Sequence, residues 1–389
     1  MRLILITQDF PPDFGGIQTY CFEYAKRLSA LCDDFALIAP EKPDSELIDR
    51  EFDFPVYRIK LANNSNLVFS LFRKLEPIVR KHNSDATFHA QWQTAWPAIR
   101  LRRAGKLKKV FCSGHGRELI FNPYKKIPLL DPLYEYLRKK CLQNVDHNYP
   151  VSDYNSGMMG GLGVKKENRT VVINGTTFDV FHPIEADGLK NDLNLSDKKI
   201  IITVTRVIYR KGVDLVIRAV HKLKDKIPEI CYVVIGDGPE LENCKNLAKE
   251  LNVEENVRFL GRIPYDDINP YYNMSDLFVM VPRSSETEVE GFGIVYLEAN
   301  ACRKPVIGSR SAGIPSAVLH GETGLLVEEE NIEDLTSAID KILTDENFAS
   351  QLGNNGYERV KKQANWDALS RLLYNEMKSR LIHSNNDKK

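Results

Sequence analysis

Three things are scarce in this 389-residue sequence, and each scarcity removes a class of function. Net charge is missing: 53 Lys and Arg are matched by 53 Asp and Glu, whereas a dedicated nucleic-acid binder normally shows a basic excess. Long apolar runs are missing too. No stretch approaches the ~18 residues a spanning helix needs, so any membrane role is expected to be peripheral. Cysteine is sparse, with seven residues, an odd number, and no CxxC pair; reduced thiols and a cytoplasmic location follow. There is no HExxH, no clustered His/Cys ligand set and no Walker loop, so neither a metal hydrolase nor a P-loop ATPase is favoured. The apolar start LILIT is too short for a signal peptide and reads as a first strand.

What is present is the composition of a soluble globular chain, 43% hydrophobic and 27% charged, long enough for two domains. Short β-branched runs alternate with amphipathic stretches, the pattern of parallel sheets with crossover helices. In the first half the strand candidates are RLILIT (2 to 7), FALIAP (35 to 40), DATFHA (85 to 90), KKVFCSG (108 to 114) and TVVING (170 to 175), with helices from Ile17 to Leu31 and Leu67 to Lys81. The pattern restarts with KIIITVTRV (199 to 207), CYVVIGDG (231 to 238), NVRFLGR (256 to 262), DLFVMVP (276 to 282) and KPVIGS (304 to 309). Two doubly wound α/β sheets are implied. Periodicity breaks over Asp179 to Asp197, which sets the expected domains at 1–178 and 179–365. The stretch Trp366 to Leu381 reads as a final helix with Leu369, Leu372, Leu373 and Met377 on one face.

Ligands of such sheets sit at the carboxyl ends of strands, where glycine turns admit the backbone. Gly15, Gly16, Gly114, Gly116, Gly236, Gly238, Gly261, Gly291 and Gly293 fall at those places. In Glu290-Gly-Phe-Gly-Ile-Val-Tyr-Leu-Glu298, glycine is a poor helix-interior residue, so the helix should start near Phe292 or Gly293. Glu290 then lies in the loop, and Glu298 projects from the second turn. First-turn amides of Gly293, Ile294 and Val295 form a ready anion site. A structural glycine turn with two solvated glutamates is the plainer alternative.

Arg206 and Lys211, in TRVIYRKG, follow the strand KIIITVT and can aim two cations at one anion; two solvated surface charges would read the same way. His115 stands between two glycines in SGHGRE at a strand end, a more exposed setting than an apolar helix face, suited to contact with a ligand or to a plain hydrogen-bond anchor.

Taken together, DFPPDFGGIQTY (9 to 20), SGHGREL (113 to 119), VINGTTFDVF (172 to 181), TRVIYRKGVD (205 to 214), VIGDGPE (234 to 240), FLGRIP (259 to 264), EVEGFGIVYLEANACRKPVIGS (288 to 309) and HGETGLLV (320 to 327) resemble the family 4 retaining glycosyltransferases of the GT-B class over essentially the whole chain. The first and seventh blocks are most similar to those of bacterial phosphatidylinositol-mannoside mannosyltransferases. The resemblance implies two Rossmann-like domains facing across a cleft, an N-terminal one for the acceptor and a C-terminal one for a nucleotide sugar, with the helix 366–382 packed back on the first. It implies that Glu290 meets hydroxyls of the transferred sugar, Glu298 the ribose, and the amides around Gly293 to Val295 the diphosphate, with Phe292 also on the donor side. Arg206, Lys211, Gly15 and Gly16 would serve the same phosphates, His115 the donor sugar, and the Gly261, Arg262 and Ile263 backbone the base. Transfer would be front-face and metal-free, with the leaving phosphate taking the acceptor's proton and no cofactor beyond the nucleotide-sugar co-substrate. Where the family often has Asn-Gly-Val-Asp, this chain has Asn174-Gly175-Thr176-Thr177, which removes an acidic residue from the interdomain turn.

On the acceptor side, Arg100, Arg102, Arg103, Lys106, Lys108 and Lys109 crowd ten positions, and the segment 119 to 140 mixes large apolar and basic residues. An anionic membrane surface carrying a lipid-linked acceptor would suit such a face, as would plain solvent. Two other functions use the same fold: a nucleotide-sugar epimerase and a nucleotide-sugar-binding protein without turnover. The retained EGFG block and the intact cation pair favour transfer of a hexose, with GDP-mannose the first choice of donor.

Overall fold

A computed structural model describes residues 1–13, 15–60 and 67–386, with side chains described as far as Ile382. It divides into two compact units. The first holds Met1–Asn174, Glu286–Gly291 and the segment from Trp366 onward; the second holds Gly175–Ser285 and Phe292–Asn365. The chain thus leaves the first unit at Asn174, and the aperiodic stretch 179 to 197 lies within the second.

In the first unit, β1 (Arg2–Ile6), β2 (Asp34–Pro40), β3 (Val56–Ile59), β4 (Ala86–His89), β5 (Lys109–Gly114) and β6 (His147–Pro150) form one sheet in the order β3-β2-β1-β4-β5-β6. In the second, β7 (Lys199–Val204), β8 (Ile230–Ile235), β9 (Val257–Gly261), β10 (Leu277–Val279), β11 (Val306–Ser309) and β12 (Gly324–Val327) run β12-β11-β10-β7-β8-β9. Every pairing is parallel, with Ile4 opposite both Ala36 and Thr87, and Ile201 opposite both Tyr232 and Leu277. Counted from its own first strand, each sheet has the 3-2-1-4-5-6 order, whose chain reverses between strands one and four and leaves a crevice at their carboxyl ends.

Strands buried on both faces need continuous apolar runs, and LILI and IIIT supply them. Their covering helices follow the 3.6-residue period. Leu67, Leu71, Leu75 and Val79 are the buried stripe of the helix Leu67–Lys81, and Val213, Val216, Ile217, Val220 and Leu223 are that of Val213–Leu223. Each such side chain contributes roughly 1.5–3 kcal/mol by leaving water.

Three strands have no counterpart among the expected ones. In β3 the run VYRI carries a charge, in β6 HNYP is polar, and in β12 GLLV has only four residues. Conversely, TVVING (170 to 175) is not a strand. Thr170 N–H and Val172 N–H donate to the carbonyls of Asn148 and Pro150, both at 3.0 Å, and then the chain turns away before a ladder forms. In the altered turn the Thr177 hydroxyl, buried, accepts from the Asp179 amide at 3.2 Å, a bond of the kind an aspartate makes in an Asx-turn.

The last helix, Trp366–Asn386, lies along Gly16–Leu31 in the first unit. Trp366 meets the rings of Tyr24 at 5.4 Å and Tyr20 at 6.0 Å, and Arg27 pairs with Asp367 at 2.7 Å. Its buried stripe is Leu369, Leu373, Met377 and Leu381. Leu372, expected on that face, is 46% exposed because it sits ~100° around the helix from Leu373.

Candidate active site

Each sheet should offer its ligand a place beside the chain reversal, and in the second unit the loops after β7 and β10 occupy it. Tyr209–Lys211 forms a single tight turn after β7. Lys211 extends its ammonium to 3.7 Å from the Met280 sulfur, just past β10, and the Tyr296 hydroxyl donates to the Met280 carbonyl at 2.5 Å. Met280 thus links the loop that carries Lys211 to the helix Ile294–Ala301. Arg206, exposed, stands on the same loop.

Arg283 locks these loops together. Its guanidinium, 8% exposed, is bonded to both Asp214 oxygens at 2.9 and 2.7 Å, to Glu330 at 2.7 Å and to the Tyr209 carbonyl at 2.7 Å, and lies 4.1 Å over the Tyr209 ring. Bidentate pairing of this kind fixes orientation as well as charge.

The helix itself begins as expected. Gly293 precedes it at φ +90°, a conformation that favours glycine, and no side chain caps its first turn. The amides around Ile294 and Val295 follow that uncapped start, where the helix dipole favours an anion. Phe292 is buried beneath. Glu298 is 5% exposed and accepts from the Tyr272 hydroxyl at 2.7 Å. Burial pushes its carboxyl up to about 7, with the Tyr272 bond acting the other way. Gly261 ends β9 at φ +71°, and Arg262 and Ile263 follow it, exposed and half-buried.

The first unit carries the remaining residues. Gly15 and Gly16 open the helix after β1, again with no side-chain cap and no acidic residue in the first turn. His115 follows β5, and contrary to expectation it is nearly buried: the imidazole is 9% exposed and meets the Tyr20 ring edge-on at 4.5 Å. The glycines on either side do not expose it, because the hydroxyl of Tyr20 is anchored to Ser113 at 3.1 Å and holds the ring against it. Burial lowers the His115 pKa to about 3, with the Ala90 backbone acting the other way, so the ring is neutral. Glu290, half-buried, groups with this unit, whereas Phe292 onward groups with the other. The two glutamates of the EGFG block are thus parted between Gly291 and Phe292.

Four further residues are not among those the sequence singles out: Tyr272, Arg283, Glu118 and Asn155. Glu118 accepts from the His115 amide, and burial raises its carboxyl to about 7 against the backbone bonds it receives. Its place in SGHGREL is the one sequence signal among the four. Among the described residues, no three His, Cys, Asp or Glu side chains are grouped as metal ligands.

On the acceptor side, most of the crowded cations are already engaged. Arg102 and Lys109 pair with Asp146, Lys106 with Glu76 at 2.6 Å and Lys108 with Asp85 at 2.8 Å, while Arg103 donates to Asn144 at 2.7 Å. Nearby, Ile127, Leu129, Leu130, Leu133, Tyr136 and Leu137 stand 37 to 83% exposed along and just before the helix Leu130–Asn144. No helix among the described residues is long and apolar enough to cross a membrane.

The chain is similar to known proteins along its length. The family model described as Glycosyltransferase Family 4 matches residues 14–179, and that described as Glycosyl transferases group 1 matches residues 187–359. The GDP-mannose-dependent alpha-(1-6)-phosphatidylinositol monomannoside mannosyltransferase of Mycolicibacterium smegmatis is 28% identical over 360 residues, 90% of this chain and 91% of its own. The GDP-mannose-dependent monoacylated alpha-(1-6)-phosphatidylinositol monomannoside mannosyltransferase of Corynebacterium glutamicum is 26% identical over 97% of this chain and 98% of its own. Among solved structures, Anabaena HepE in complex with UDP superposes with a TM-score of 0.82 at 17% identity, over 97% of this chain and 100% of that one. With both halves matched in order and the fold shared end to end, the chain belongs to the family 4 glycosyltransferases of the GT-B fold.

Proposed function

We propose that the protein transfers mannose from GDP-mannose to a hydroxyl of a lipid-linked or glycan acceptor, with retention of configuration and without a metal. The observation that carries the reading is the pair of features flanking Met280 in the second unit: the Lys211 ammonium at its sulfur and, at its carbonyl, the Tyr296 hydroxyl of a helix whose first turn no side chain caps. A departing diphosphate accumulates charge as the sugar–phosphate bond breaks, and preorganised donors stabilise that charge in the transition state. Two cations and a helix terminus supply what a divalent ion would supply elsewhere. The donor choice follows the names of the two mannosyltransferases to which the chain is similar.

In this mechanism the bond from the anomeric carbon to the β-phosphate oxygen breaks while the acceptor oxygen bonds the same face of that carbon. The acceptor's proton passes to the leaving phosphate, so no residue acts as nucleophile. Glu290 orients the sugar through its hydroxyls, and neutral His115 contacts the sugar near the reacting carbon. Glu298 holds the ribose, and its burial favours a hydrogen-bonded partner over an ionised, unpaired carboxylate.

For the acceptor, the exposed stripe from Ile127 to Leu137, with Lys126 and Lys139 exposed beside it, suits an anionic lipid surface at the inner face of the cytoplasmic membrane. The stripe, and not the paired cluster 100 to 109, is the docking element in this reading.

Thermal stabilisation by GDP-, UDP- and ADP-linked sugars tests the donor. A ligand that binds only the folded state raises the melting point by mass action, so GDP-mannose should do so, and Glu298→Ala should abolish the shift. No shift with any nucleotide sugar, or a new sugar epimer formed without acceptor, would sink the proposal.

A further inference from the structure

Three pieces of main chain meet in the first unit: the turn Gly114-His115-Gly116 after β5, the first turn of the helix Asp153–Gly161, and Val289 to Gly291. Their approach is close enough to exclude side chains. A Cβ on Gly291 would stand 1.6 Å from the His115 carbonyl oxygen, and one on Gly116 would stand 3.2 Å from both Gly291 Cα and Val289 Cγ2. Asn155 fills the junction and is fully buried. Its Nδ2 donates to the Gly114 carbonyl at 3.2 Å and to the Gly291 carbonyl at 3.3 Å. The Ser152 hydroxyl, capping the helix, accepts from the Asn155 amide at 3.2 Å and fixes the base of the side chain. Oδ1 is buried with no hydrogen-bond partner among the described residues.

A buried amide oxygen left unpaired costs free energy, and an apolar side chain of similar size would avoid that cost. What the amide gains is the pair of bonds from its nitrogen, one to the residue before His115 and one to the residue after Glu290. We propose that Asn155 is a positioning residue that sets His115 in register with Glu290, the two groups that the proposed function assigns to the donor sugar; the inference rests on that reading. Gly116 and Gly291 permit the contact, and Asn155 holds it. A slip of about 1 Å between groups that orient a reacting centre can lower turnover by as much as 10²-fold.

Asn155→Asp is the sharpest variant, because it keeps the shape and turns the donor into an acceptor facing two carbonyls; Asn155→Ala removes both bonds. With GDP-mannose as donor, both are expected to lower kcat by about 10- to 100-fold. The Kd of GDP, whose proposed contacts lie largely in the second unit, should stay within about twofold. A purely structural role would instead lower the melting point while leaving the kcat of the folded fraction intact. Unchanged kcat in folded Asn155→Asp overturns the proposal, as does a parallel loss of GDP binding. If Asp does not fold, Asn155→Ser, which keeps a donor too short to reach both carbonyls, must show the same split. A wild-type enzyme that transfers no hexose from any nucleotide sugar removes the functional reading and this one with it.

Discussion

The two units are built on one topology and differ in what they leave on the surface. Of the fifteen large hydrophobic side chains exposed among the described residues, thirteen lie in the first unit and only Ile184 and Tyr209 in the second. Even Tyr209 is covered on one face by Arg283. Contiguous exposed apolar surface marks contact with another apolar body, whereas the second unit's carboxyl edge is built from amides, cations and one buried carboxyl. One sheet order thus supports two surfaces, one rich in exposed apolar side chains and one, in the proposed reading, suited to an anion, and the loops decide which.

The largest expected effect tests the anion-binding half. Lys211→Ala should lower kcat by about 10²–10³-fold, or roughly 3–4 kcal/mol in the transition state, while the unfolding free energy moves by no more than about 0.5 kcal/mol. Steady-state kinetics beside urea unfolding checks both. Loss of folding in place of turnover would make Lys211 a structural residue and blur the distinction between the units.

Next in size is the helix that returns to the first unit. Leu373, fully buried, should cost about 2–3 kcal/mol when truncated to Ala; Leu372, exposed, should cost less than about 0.5 kcal/mol. Equal losses in urea unfolding would mean that Leu372 is covered, and the excess of apolar surface on the first unit would shrink accordingly.

How far the sequence carried this picture depends on how local each feature is. Strands β1 and β7 declare themselves because a run such as IIIT suits burial on both faces. In β6 the run HNYP does not, since His147 and Asn148 are accommodated only once Thr170 and the Leu142 carbonyl arrive to bond them. The helix start at Gly293 is legible for the same local reason: two glycines and an apolar run set it. By contrast, the burial of His115 depends on Tyr20, 95 positions earlier, and the grip on Gly291 depends on Asn155, 136 positions away. Of the six cations between 100 and 109, four meet carboxylates at 76, 85 and 146 that come from other segments. Charge counted along a chain does not say which charges are paired.

A third, smaller effect concerns the apolar half. Leu133→Asp should weaken sedimentation with phosphatidylglycerol vesicles by about tenfold or more, since a leucine entering an apolar phase contributes roughly 1.5–3 kcal/mol. Arg103→Glu, in the paired cluster, should change it far less. If the two variants rank the other way, docking is electrostatic and the stripe is a solvent face.

The smallest effect separates the units by pH. Burial holds His89, His115 and His147, all in the first unit, down at about 3. Their neutral forms favour folding above the ordinary imidazole value of 6.5, and that contribution is lost as the pH falls from 6.5 toward 3. Raised carboxyls have the opposite sign: their contribution is complete below 4.5 and lost as the pH climbs through 7. Glu118, at about 7, and Asp9, raised by burial, work that way in the first unit, and Glu298, at about 7, does so in the second. Between pH 6.5 and 4.5 three imidazoles oppose chiefly one carboxyl in the first unit, while in the second Glu298 acts in the stabilising direction. Each net proton is worth about 1.4 kcal/mol per pH unit at most. Amide hydrogen exchange at pH 6.5 and 4.5, corrected for intrinsic rates, should therefore show protection falling in β4 to β6 while that of β7 and β8 holds or rises. Equal loss in both sheets would mean that the three imidazoles do not set the first unit apart, and the proposed role of His115 as a neutral contact to the sugar would lose its support.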